Sequence, residues 1–137
     1  MEASELLGLD VGQKRIGVAR ASTAAMLAEP LTTIHTTGGL ERLKELVKEH
    51  NAKTLVVGLP RALSGNDTSQ TDWVRDWVDK AKKQINLPFY WQDEALTTVF
   101  AEAAQQSDKK PKDIDAVAAA VILQDFLDAP ESDRLPC

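Results

Sequence analysis

The stretch LLGLDVGQKRIGVAR, residues 6–20, contains two short apolar runs joined by a polar turn. Gly12 permits a tight turn at this point, so the sequence predicts two antiparallel strands, over residues 5–10 and 15–20. Asp10 ends the first of these strands, where a buried carboxylate without a partner is energetically costly. Asp10 therefore requires a compensating cation, a hydrogen-bond network or a function.

The residues that follow extend this hairpin into a mixed sheet. Apolar and β-branched runs predict three further strands, over residues 31–37, 53–60 and 87–93. Apolar residues at helical spacing predict helices over residues 40–50, 68–83, 97–107 and 111–128. The order of these elements predicts an α/β fold with a mixed five-stranded sheet, in which a three-stranded antiparallel meander continues into two parallel strands and helices cover both faces.

Composition limits the classes of protein to which the chain can belong. With 137 residues, the chain fits one domain, predicted over residues 1–128, and residues 129–137 lack periodicity and are expected to form a flexible tail. The net charge of -5 gives no global attraction for nucleic acid, so a polyanion would need a local basic patch or a bound metal. Cys137 is the only cysteine, and no signal peptide or membrane span is evident, which predicts a cytoplasmic protein without a membrane partner.

Acidic residues follow the predicted strands at one edge of the sheet. Asp10 follows the first strand, and Asp93 and Glu94 follow the fifth. Asp113 and Asp115 both lie near the start of the last helix, and the pattern favours Asp115 only narrowly, because apolar residues continue its row along the helix. Carboxylates that converge repel one another unless a divalent cation lies among them, and oxygen ligands suit Mg²⁺ or Mn²⁺. Two such ions would support phosphodiester hydrolysis. The simpler alternatives are that Asp10 accepts backbone N–H bonds and that the others are acids at helix N-termini.

Four sequence blocks resemble one known family. They are GLDVGQKRIGVA at 8–19, VVGLP at 56–60 with Gly65 and Gln70 beyond it, DEALTT at 93–98, and IDAVAAAVILQDFLD at 114–128. In this order they are similar to the YqgF (RuvX) family, a bacterial branch of the RNase H-like, Holliday-junction-resolvase-related nucleases. The resemblance spans residues 5–128. It implies an RNase H-like fold and a Mg²⁺- or Mn²⁺-dependent nuclease that matures the 5′ end of pre-16S rRNA, with cleavage of Holliday-junction DNA as the alternative.

The resemblance also implies roles for individual residues. Asp10, Glu94 and Asp115 would form the catalytic and metal-binding acidic triad, with Asp93 as an alternative to Glu94. The substrate-binding candidates are basic. Lys14 and Arg15 fall on the family's basic turn, Arg61 begins a loop that would meet substrate, and Lys110 and Lys112 border Asp115, where they either contact phosphate or form a solvated helix face.

The chain departs from the family pattern at one position. Ala95 follows the Asp-Glu pair, where the family usually has arginine, which could hold a phosphate or orient the acids. This departure supports a second hypothesis, a catalytically weak RNA- or ribosome-binding factor. Trp73 and Trp77, one helical turn apart, are expected to contact the core or a second subunit, which leaves a homodimer open.

Overall fold

A computed structural model describes residues 4–62, 64–93 and 114–137. Its strands are β1 (Glu5–Val11), β2 (Arg15–Ser22), β3 (Glu29–His35), β4 (Ala52–Leu59), β5 (Phe89–Asp93) and β6 (Leu135–Pro136). The helices in these residues are α1 (Gly39–His50), α2 (Ser69–Gln84) and α3 (Ile114–Asp128), and a short 3-10 turn spans Glu131–Asp133. The helix predicted over 97–107 and the first residues of the one predicted over 111–128 lie outside the described residues.

The strands form one mixed sheet in the order β3-β2-β1-β4-β5-β6. β1 and β2 pair antiparallel, as do β2 and β3, which confirms the predicted meander. β4 lies parallel to β1, and β5 lies parallel to β4. The carboxyl ends of β1, β4 and β5 therefore meet at one edge of the sheet, where ligands gather in folds of this type.

The sixth strand corrects the predicted count of five. Leu135 and Pro136 pair antiparallel with Trp91 and Tyr90 of β5. The Cys137 backbone N–H extends the pairing, since it donates to the Phe89 carbonyl at 2.9 Å. A two-residue strand is too short to produce a periodic pattern, so a strand could not be predicted within the residues expected to form a tail.

Buried apolar side chains cover both faces of the sheet. The face under α1 and α2 holds the larger cluster, which includes Leu7, Leu9 and Trp77. The face under α3 holds a smaller cluster, which includes Leu6 and Phe126. Because side chains alternate along a strand, Asp10 falls with Leu6 on the α3 face. Trp77 is only 8% exposed and belongs to the core, and Trp73 is partly buried against the same cluster, which confirms the predicted core contact; the homodimer stays a prediction.

Glycines on the α3 face let that helix approach the sheet closely. A Cβ atom at Gly17 of β2 would lie 1.9 Å from the Asp115 carbonyl oxygen, and one at Gly58 of β4 would lie 2.4 Å from Cδ1 of Ile122. At Gly17 the overlap is with backbone atoms, so only glycine permits this packing, whereas at Gly58 the Ile122 side chain would have to move. Gly17 is also the register partner of Asp10 across the β1–β2 pair. The close approach therefore brings the first turn of α3 beside Asp10.

Candidate active site

Asp10 lies one residue before the end of β1, on the face that α3 covers. Its side chain is largely removed from water, and the negative charge of Asp115 lies nearby. Burial first, and repulsion from Asp115 second, raise the pKa of Asp10 from 3.8 to about 6. Two acids that the sequence separates by a hundred residues thus interact electrostatically at the same edge of the sheet.

Asp115 occupies the first turn of α3, above Gly17. Its side chain is 27% exposed, so it borders solvent while its backbone is packed against β2. The predicted convergence of Asp10 and Asp115 therefore rests on a specific backbone contact as well as on sheet topology.

Arg15, the first residue of β2, forms an ion pair with Asp115. Its Nε donates to Oδ2 of Asp115 at 2.8 Å, while its side chain remains 58% exposed. The sequence predicts a phosphate contact for Arg15, and in this structure Arg15 pairs with Asp115, a predicted metal ligand. This pair could not be predicted, because opposite charges a hundred positions apart leave no local pattern.

The turn between β1 and β2 carries Lys14 and is fixed by three hydrogen bonds. The Gly12 N–H donates to the Arg15 carbonyl at 2.9 Å. The Thr36 hydroxyl donates to the Gly12 carbonyl at 2.7 Å, and the Thr36 N–H donates to the Lys14 carbonyl at 3.0 Å. The backbone of the turn is thus held while the side chains of Lys14 and Arg15 extend into solvent.

An open cleft of about 400 Å³ lies beside this turn. It is lined by Gly12, Gln13, Lys14, Arg15, Gln70 and Asp115. Two basic side chains and one acid at the mouth of the cleft suit a ligand that carries both phosphate and a coordinated cation. A second cleft of about 420 Å³, between α1 and residues 84–87, contains none of the predicted site residues.

Gln70 and Gln13 line the cleft but were not assigned a role from the sequence. The Gln13 amide donates to the Gln70 side-chain oxygen at 3.5 Å, and the Gln70 amide donates to the Val11 carbonyl at the same distance. Gln70 belongs to the first turn of α2. Thr68 and Thr71 form a capping box at this end of the helix, and the Thr71 hydroxyl donates a hydrogen bond to the Pro60 carbonyl. The only sequence signal for Gln70 was its place in the family motif.

Arg61 lies just after β4 and contacts acids on both sides. Its Nε is 3.4 Å from Oδ1 of Asp93 and 3.6 Å from Oδ1 of Asp67, and its side chain is 29% exposed. Asp93 shares the strand face of Phe89 and Trp91, which pack into the cluster under α1 and α2. Asp93 is thus on the face opposite Asp10, which argues against it as the third member of the acidic group.

Glu94, Ala95, Lys110 and Lys112 lie outside the described residues. Among residues 4–62, 64–93 and 114–137, no three His, Cys, Asp or Glu side chains are grouped as a metal site would require. The same residues include no helix long and apolar enough to cross a membrane.

The donor chemistry of Asp10 and Asp115 fits a hard divalent cation. Both offer carboxylate oxygens, and burial together with the nearby charge of Asp115 raises the pKa of Asp10. Arg15 neutralises part of the charge of Asp115, and a cation between the two carboxylates would reduce their mutual repulsion further. Mg²⁺ and Mn²⁺ are the ions that such oxygen ligands prefer.

Comparisons with known proteins agree on one family. The family model described as "RuvX: Holliday junction resolvase" matches residues 4–129. A protein of Roseiflexus sp. named "Putative pre-16S rRNA nuclease" is 42% identical over 93% of this chain and 96% of its own length. A protein of Gloeothece citriformis with the same name is 40% identical over 94% of this chain and 91% of its own.

Solved structures support the fold. RuvC of T. thermophilus, determined in complex with a Holliday junction substrate, superposes with a TM-score of 0.60 at 17% identity and covers 98% of this chain and 99% of its own. A fowlpox virus resolvase, also bound to Holliday junction DNA, gives a TM-score of 0.52 at 9% identity, with 90% of this chain and 96% of its own covered. At such low identity the likeness concerns the arrangement of strands and helices.

Proposed function

This chain belongs to the RuvX family, and from that membership we propose that it is a nuclease that hydrolyses phosphodiester bonds with the help of Mg²⁺ or Mn²⁺. The observation that carries the proposal is the convergence of Asp10 and Asp115 beside a cleft lined by Lys14 and Arg15. Carboxylates for a cation and basic side chains for a phosphate backbone are the two requirements of such an enzyme.

Glu94 completes the acidic group in this proposal. Asp93 lies on the sheet face away from Asp10 and is paired with Arg61, so it is the weaker candidate of the two. Glu94 is the next residue along the chain, and the family resemblance assigns this role to it. Asp10, Glu94 and Asp115 would then hold the cation together.

The residues of the cleft would perform distinct tasks. Asp10 offers a ligand only when ionised, which its pKa of about 6 permits at neutral pH. Lys14 and Arg15 would hold the phosphates that flank the scissile bond, as the basic turn is exposed and rigid at its backbone. The chemistry that a bound divalent cation supplies in such a site is stabilisation of negative charge on the attacking water and the leaving oxygen.

The substrate we propose is the precursor of 16S rRNA, cleaved at its 5′ end. Support comes from the names of relatives that are 40–42% identical over more than nine-tenths of this chain. A four-way DNA junction is the second candidate, because the family model carries the description of a junction resolvase. A cytoplasmic location is part of the same proposal and rests on the sequence features described above.

The test is a cleavage assay with purified protein on three labelled substrates. These are a 16S precursor RNA with its 5′ extension, a single-stranded DNA and a four-way DNA junction, each in Mg²⁺, Mn²⁺ or EDTA. We expect cleavage of the RNA that requires metal and that is lost in Glu94→Gln and Asp115→Asn. Asp125→Asn, an exposed acid on the same helix as Asp115, is the matched control and should cleave like the unaltered protein.

Other outcomes assign other functions. Preferential cleavage of the junction would replace rRNA processing with junction resolution. RNA binding without cleavage of any substrate, unchanged by EDTA, would contradict the nuclease and favour a binding factor whose active site lost function with Ala95. Full activity in Asp115→Asn would exclude the proposed site.

A further inference from the structure

The contact between Arg15 and Asp115 gives Arg15 two possible partners. Its Nε is bonded to Oδ2 of Asp115 at 2.8 Å, and the same side chain lines the cleft in which a substrate phosphate would lie. A guanidinium forms charge-assisted hydrogen bonds with either a carboxylate or a phosphate. With one side chain and two anions, the two contacts compete.

The ion pair also bears on cation binding at Asp115. Arg15 occupies hydrogen-bonding capacity of that carboxylate and places a positive charge beside it, which disfavours the approach of a divalent cation. The side chain of Arg15 is 58% exposed, and exposed ion pairs contribute little free energy, so the contact can be exchanged for another at low cost. Arg15 can therefore leave Asp115 when a phosphate is available.

We propose that Arg15 couples phosphate binding to metal binding: it holds Asp115 in the free protein and moves to the substrate phosphate, which releases Asp115 for the cation. Arg15 is a positioning residue in this scheme. The inference rests on the proposed function, since it takes Asp115 as a metal ligand. Because coupling is reciprocal, the phosphate must raise the affinity for the cation by the same factor as the cation raises the affinity for the phosphate.

Calorimetric titration with Mn²⁺, without any cleavage reaction, tests the coupling. Release of one exposed ion pair is worth at most about 1 kcal/mol, so Arg15→Ala should bind Mn²⁺ up to about fivefold more tightly than the unaltered protein. Lys53→Ala is the charge control. Lys53 is exposed on β4, does not line the cleft and, within the described part of the chain, forms no ion pair, so its removal should change the affinity by less than about twofold.

A second titration adds uridine 5′-monophosphate, which carries a phosphate but no phosphodiester bond, with correction for Mn²⁺ held by the free nucleotide. The nucleotide should tighten Mn²⁺ binding to the unaltered protein up to about fivefold and leave Arg15→Ala nearly unchanged. Circular dichroism of each variant checks that the fold is retained, which the exposure of Arg15 and Lys53 favours.

Two kinds of contrary result can be told apart. If Arg15→Ala binds Mn²⁺ with the same or lower affinity than the unaltered protein, or if the nucleotide acts equally on both, the coupling is wrong while the metal site stands. If the unaltered protein shows no saturable Mn²⁺ binding, or if Asp10→Asn leaves binding unchanged, the metal site itself is wrong and the coupling falls with it.

Discussion

Replacement of Asp10 by asparagine should make the protein more stable at neutral pH. In the folded protein, burial and the charge of Asp115 raise the pKa of Asp10 from 3.8 to about 6. Ionised Asp10 therefore costs free energy in the folded state, and asparagine, which has nearly the same shape and no charge, removes that cost. A residue retained at the expense of stability is expected at a functional site.

The pH dependence follows from the order in which the two states lose the proton. Between pH 4 and pH 6 the unfolded chain loses the Asp10 proton first, so the folded state binds more protons and the free energy of unfolding falls as the pH rises. At 1.36 kcal/mol per pH unit, the full difference is about 3 kcal/mol, and solvent screening at a carboxylate that is not fully buried reduces it toward about 2. For a chain of this length, 2 to 3 kcal/mol corresponds to roughly 7 to 10 °C in Tm.

Urea unfolding in EDTA, measured at intervals from pH 3.5 to pH 7.5, provides the assay. The gain in unfolding free energy of Asp10→Asn over the unaltered protein should grow by about 2 to 3 kcal/mol across this range and level off above about pH 7. Asp125→Asn should differ from the unaltered protein by less than about 0.5 kcal/mol throughout. A difference for Asp10→Asn that is independent of pH, or that declines as the pH rises, would refute the reasoning.

Further predictions concern packing, loop anchoring and ligand binding. Gly17→Ala should lower the free energy of unfolding by about 2 kcal/mol or more in a urea titration, because its Cβ would overlap the Asp115 carbonyl. Gly39→Ala is the control and should cost far less, because the nearest atom to its Cβ would be a side-chain methyl carbon of Ile16 at 3.2 Å. Arg61→Ala should lower Tm through loss of its ion pairs, worth about 1 kcal/mol, and an unchanged Tm would show that they contribute nothing. Lys14→Ala should reduce the slope of log Kd for RNA against log salt concentration by about 1, and an unchanged slope would exclude a phosphate contact. Below about pH 6 the affinity for Mn²⁺ should fall about tenfold per pH unit as Asp10 is protonated, and a flat profile in calorimetry would contradict its role as a ligand.

The sheet could be predicted from the sequence because its strands leave strong local patterns. The hairpin around Gly12 predicts the antiparallel pair of β1 and β2, and the apolar run before Pro60 predicts a buried strand, β4, parallel to β1. Both pairings are confirmed. The sixth strand could not be predicted, because two residues carry no period and their pairing with β5 depends on where the chain returns in space. The family and the nuclease assignment of its members agree with the four sequence blocks.

The candidate site could be predicted only in part. Asp10 can be predicted from its place at a strand end, and Asp115 from its place near the start of a helix. The structure brings them together because Gly17, the register partner of Asp10, lets the backbone of Asp115 pack against β2, and this contact cannot be predicted without the strand register. The pairing of Arg15 with Asp115 is a contact across a hundred residues, and the place of Asp93 on the opposite face follows from the register of β5. The role of Glu94 remains a prediction from the resemblance, and those of Lys110 and Lys112 remain predictions from their place in the sequence beside Asp115.

The central claim is that Asp10 and Asp115 hold the cation for phosphodiester hydrolysis, and crystals grown with Mn²⁺ test it most directly. Anomalous scattering at the manganese edge locates the ion without reference to activity. We expect a peak within about 2.0 to 2.2 Å of carboxylate oxygens of both residues, which is close to the distance at which Mg²⁺ binds oxygen ligands. A peak at Asp93 on the other face of the sheet, or none near Asp10 at a Mn²⁺ concentration that supports cleavage, would contradict it.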